Sequence, residues 1–141
     1  MGSINLGRVL LGGLLAGAII NVFEFVLNGV VLASQWTDLM ASINRPELTV
    51  NDIIIFNVIG FVEGIVAVWI YAAIRPRFGA GVRTAVYAAL LIWLTANVMG
   101  NATPYLMGVF TYDMMVLFPV VGLVELIAAT VAGAWLYKEA G

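Results

Sequence analysis

The stretch Leu10–Leu32, LLGGLLAGAIINVFEFVLNGVVL, decides how the rest of the chain is read. It is an apolar run of 23 residues, and a helix needs roughly 20 such residues to cross a bilayer. Yet it contains Glu24, with Asn21 and Asn28 on either side. Polar groups inside a span are costly and mark either a site or a helix–helix contact. Arg8 followed by VLLGGLLAGA has the outline of a signal peptide, but the run continues past the length of a signal core, so it reads as a span.

Composition agrees. The chain has 141 residues, of which 63% are hydrophobic and 10% charged. A soluble domain carries about 25% charged residues, so this is the balance of a membrane protein. Cysteine and histidine are both missing from the sequence. Disulfides, thiolate or imidazole metal sites and histidine acid–base chemistry are therefore excluded. A net charge of −2 without a basic cluster gives no footprint for nucleic acid.

Three further runs qualify as spans, so the four lie at about 9–32, 53–74, 82–101 and 114–137. Helices satisfy their own backbone in lipid, and no alternating ten-residue pattern suggests a barrel. The expected fold is an all-α integral membrane protein, a single domain over 1–141 with four transmembrane helices in an antiparallel bundle. Thr49–Asp52 has the form of a capping box. Arg75–Gly81 reads as a turn, Asn101–Pro104 as the end of the third span, and Pro119 as a bend early in the fourth.

Arg8, Arg75, Arg77, Arg83 and Lys138 border one side of this arrangement, and Arg45 alone borders the other. That skew places both termini in the cytoplasm, with a bacterial inner membrane as the expected location. The loop after the first span has Trp36, Leu39, Met40 and Ile43 at i, i+3, i+4 and i+7. This segment, about 34–43, is expected to lie in the interface as an anchor rather than as a lid.

Two segments resemble each other. Val58–Ala73 and Val120–Trp135 share seven identities in sixteen positions, including Gly60/Gly122 and Glu63/Glu125. The first and third spans align more weakly, through Asn21-Val22 and Asn97-Val98. The pattern suggests a duplicated two-helix hairpin.

The polar residues gather on faces. Gly13, Gly17, Asn21, Glu24 and Asn28 are spaced 4, 4, 3 and 4, which is one side of a helix. The second span offers Asn57, Gly60, Glu63 and Gly64, the third Asn97 and Asn101, and the fourth Gly122 and Glu125. No Lys or Arg occupies a span core to neutralise the acids. A charged carboxylate at a helix centre costs about 3 kcal/mol on insertion scales. The acids are therefore expected to face the bundle or a protomer interface, at least two of them protonated at neutral pH.

In size and in the glutamate of its first helix, the chain resembles the small four-helix drug exporters. It departs from them in its three-glutamate pattern, its long first outer loop and its repeat, so no residue role is carried over. The residues themselves point to a proton, cation or polar solute site formed by Glu24, Glu63, Glu125, Asn21, Asn28, Asn57, Asn97 and Asn101, open toward the outer side. The alternative is a non-catalytic accessory subunit in which these groups bind helix to helix. No catalytic residue, metal site or cofactor is expected. The expected partners are the lipid bilayer and further membrane subunits, in a homo-oligomer or a larger complex.

Overall fold

The computed structural model describes residues 3–139. Among them every regular element is helical. Helix α1 (Leu6–Val26) continues through a π-helical turn at Leu27–Val31, and α2 (Ala33–Ser42) follows. Helix α3 spans Val50–Phe78. Helix α4 (Val82–Ile92) passes through a π-helical stretch, Trp93–Met99, into α5 (Gly100–Leu106), and α6 spans Tyr112–Leu136. Four continuous stretches are long and apolar enough to cross a membrane: Leu6–Val31, Val50–Phe78, Val82–Leu106 and Tyr112–Leu136.

The helix starts follow from side-chain caps. Asn5 accepts a hydrogen bond from the Arg8 amide at 3.1 Å. The Thr49 amide donates to Asp52 at 2.8 Å while the Asp52 amide donates back to Thr49, so the capping box forms as its sequence implies. Thr111 caps α6 by accepting from the Met114 amide.

Two expected helix ends are displaced. The turn expected at Arg75–Gly81 is only Gly79–Gly81, because α3 runs through Pro76 to Phe78. Proline forfeits one donor, and a position this near the helix end loses little by it. The reversal falls instead on Gly79 and Gly81, with φ of 87° and 121°, values that glycine reaches without strain. Likewise Asn101–Pro104 does not end the third span. The helix proceeds through Pro104 to Leu106, and hydrogen bonds from Met107 to Thr103 and from Val109 to Pro104 complete it. Helix α6 is also continuous through Pro119, whose carbonyl accepts from the Trp93 indole at 2.7 Å.

Small residues bring the helices together. Along α1 and α3, Gly13 meets Ile65, Gly17 meets Phe61 and Gly64, and Asn21 meets Gly60, so the contacts run in opposite order along the two helices. On its other side α1 meets α6, with Gly12 against Gly133. The main core is rich in alanine, including Ala16, Ala67, Ala85, Ala88, Ala89 and Ala129. Such residues allow close backbone approach, which is how helices gain contact energy where lipid already solvates apolar chains.

This core favours the end of the molecule that carries both termini. There the Asn5 amide donates to the Tyr137 hydroxyl and the Gly81 amide to the Tyr71 hydroxyl. Arg75 lies over the Tyr137 ring and pairs with Glu139 at 3.4 Å. At the opposite end a smaller cluster, Leu27, Leu32, Met114 and Phe118, holds α1 and α6 together beneath α2. In that half, Ile53–Ile59 of α3 are exposed on every face and Trp93–Leu106 contains no buried residue. The three glutamates lie near the boundary between the tight half and this open half.

Candidate functional site

Glutamate 125 enters the site from the middle of α6, where the sequence offers only apolar neighbours. Its side chain is buried, with 3% of its surface exposed. Its Oε2 receives no hydrogen bond from any amide, hydroxyl or amine. The polar group that faces the Glu125 side chain is another carboxyl, that of Glu24 on α1. Two carboxylates cannot hydrogen-bond, since each only accepts; such a pair needs a proton on one of them.

Glu24 lies one turn beyond the glycine face of α1 and remains exposed, so the pair opens to the outside of the bundle. Its Oε2 accepts from Asn28 Nδ2 at 2.6 Å. The Asn28 Oδ1 in turn accepts from the indole Nε1 of Trp36 at 2.9 Å. Asn28 lies in the π-helical turn at Leu27–Val31, which leads the chain from α1 into α2. Glu63 is half-buried on α3, near enough that its charge is felt by Glu125 and that of Glu24 is felt by Glu63.

The structure thus brings together Glu24, Glu63 and Glu125 from three helices, with Asn28 bonded to the first. The other four amides act elsewhere. Asn21 crosses from α1 to α3, donating to the Asn57 carbonyl at 3.1 Å and lying against Gly60. The Asn57 side chain itself is exposed and donates to Ile53 of its own helix. Asn101 likewise donates to the Asn97 carbonyl at 2.7 Å. Asn97 lies against Gly122 of α6. Asn21 therefore joins α1 to α3, and Asn97 packs against α6. Replacing Asn21 by Leu, similar in size but without donors, is expected to cost about 0.6–2 kcal/mol; a thermal melt in detergent measures it.

Trp36 is the participant whose partners the sequence did not show. Its spacing with Leu39, Met40 and Ile43 suggested an interfacial anchor. Its ring packs 6.0 Å from Phe110 and 6.3 Å from Phe118 between ring centres. Helix α2 is tied down further by a 2.6 Å hydrogen bond from the Thr111 hydroxyl to Gln35. An apolar stripe shows that a segment packs, not what it packs against.

Among the described residues, no three His, Cys, Asp or Glu side chains are grouped so that they could hold a metal ion. Chemically, the arrangement can hold and pass a proton: a buried acid without a donor, a second acid against it, and a third within electrostatic range. Comparison with family models, curated proteins and solved structures finds no match for this chain.

Proposed function

We propose that the chain is a small transporter-like membrane protein whose Glu24, Glu63 and Glu125 form a proton-binding site reached from the α2 end. The Glu24–Glu125 contact carries this reading. A carboxyl pair used purely to join helices is a poor choice, because two amides join helices without a titrating group. Here an amide does that work at Asn21, and the acids lie where the tight half of the molecule gives way to the open half. A site for a loosely held monovalent cation uses the same acids, and a coordinated divalent ion fits less well.

We extend the same reading to the arrangement in the membrane. The four long helices form an antiparallel bundle built from two hairpins. Asn21 against Gly60 in the first hairpin matches Asn97 against Gly122 in the second, which supports a duplication. Five cations border the end that carries the termini, which supports placing that end in the cytoplasm of a bacterial inner membrane. One feature favours the accessory-subunit reading: α3 is exposed on every face from Ile53 to Ile59, which invites a second copy or another membrane subunit.

Infrared spectroscopy of the protein in lipid tests the site. Free glutamate titrates near pH 4.3. Here a carboxylic C=O absorption is expected to persist at pH 7, carried by the proton that the pair shares. If all three acids are ionised at that pH without a bound cation, the proton-site reading is wrong.

A further inference from the structure

We propose that Trp36 is a positioning residue whose indole N–H determines which carboxyl of the Glu24–Glu125 pair carries the proton. The inference rests on the proton-site reading above and adds a residue and a moving part to it.

An indole N–H can only donate, whereas an asparagine amide presents an acceptor on one side and donors on the other. With Trp36 Nε1 directed at Asn28 Oδ1, the Asn28 NH₂ must turn the opposite way, and it does, onto Glu24 Oε2. That donation favours the ionised form of Glu24. Glu125 Oε2 meets no donor, so nothing around that oxygen favours an ionised Glu125, and the proton of the pair falls to Glu125. The chain of donors runs from Trp36 to Asn28 to Glu24, and from Glu125 to Glu24.

Other charged groups do not set this polarity. Glu63 faces the pair from α3, but has no hydrogen bond to either acid. Asp38 on α2 and Asp113 at the start of α6 are exposed, and α4 and α5 carry no charged residue beyond Arg83. The indole is held by Phe110 and Phe118, and α2 by the Thr111–Gln35 bond. When α2 lifts, the amide is free to rotate and present its oxygen to Glu24. Glu24 must then carry a proton to keep that contact. Movement of α2 at the open end is thereby linked to the place of the proton inside the bundle.

The experiment is an infrared pH titration of the protein in lipid, with proteins whose circular dichroism matches the parent. Trp36→Phe keeps the aromatic contacts and removes the donor. Because hydrogen bonds to charged groups are the strong ones, the midpoint for ionising Glu24 is expected to rise by about one pH unit in this variant. Asn28→Leu removes the second link and is expected to give a similar rise. The double variant is expected to add little, since both changes break one chain. Absence of a shift in Trp36→Phe, or shifts that simply add, overturns the positioning role. Asn28→Leu asks the same question from the other side of the bond, and an unshifted midpoint there overturns it too. Glu125→Gln separates this failure from that of the underlying site. If it leaves the carboxylic absorption at neutral pH unchanged, the proton-site reading itself falls.

Discussion

Gly64→Val is expected to yield no stable folded protein. A Cβ at this position would stand 2.6 Å from the Gly13 carbonyl oxygen and closer still to the Gly17 amide nitrogen. Both obstacles are backbone, so no rotamer change relieves them. Helices α1 and α3 would have to separate, and Gly13 against Ile65 and Gly17 against Phe61 would separate with them. Overpacking a tight core already costs about 1–3 kcal/mol where side chains can adjust. A β-branched residue between two backbones should exceed that range, against a total stability of roughly 5–15 kcal/mol for a typical domain. Size-exclusion chromatography and thermal melting in detergent measure the loss. Gly100→Ala is the control, because a Cβ there meets nothing nearer than 3.5 Å. A Gly64→Val protein that melts within a few degrees of the parent would mean that α1 and α3 are not joined as described.

Glu125→Gln has the opposite expected outcome: an intact fold and a lost proton. Glutamine matches glutamic acid in shape, and its NH₂ can donate to Glu24 where the protonated acid did. Stability should therefore change little. The carboxylic absorption at neutral pH should fall, and proton uptake by reconstituted vesicles, followed with an entrapped pH-sensitive dye, should fall to that of protein-free vesicles. Glu63→Gln should do less to the absorption, because Glu63 is half-buried and has no carboxyl partner within hydrogen-bonding distance. A Glu125→Gln protein with parental uptake would reduce the pair to a helix–helix contact. One that fails to fold would show that the ionisable acid itself is structural, which the proton-site reading forbids.

The unequal expectation for Glu63 and Glu125 comes from the tertiary structure. In sequence the two acids occupy matching places in two similar segments, each three residues after a glycine. Nothing in that pattern says that Glu125 turns toward α1 and finds Glu24. Helical periodicity assigns a residue to a face of its own helix; it carries no information about which residue of another helix lies opposite. The same limit explains the amides. Asn21 and Asn28 share a face with Glu24, yet one crosses to α3 and the other bonds the acid.

What the amino-acid sequence determined by itself was the number and approximate placement of the apolar helices, the capping box that starts α3, and the faces on which small and polar residues collect. Those properties depend on neighbours within a few residues, so local pattern is enough. The persistence of α3 through Pro76 and of the third long helix through Pro104 lay beyond it. A proline forfeits one hydrogen bond, and whether the helix survives depends on the bonds around it. The hydrogen bond of Trp36 to Asn28, and the meeting of Glu24 with Glu125, were decided only when α1, α2, α3 and α6 packed. Contacts between residues 8 and 101 positions apart depend on how whole helices pack and how the chain turns between them, which the small-residue seams and the π-helical turn settle together.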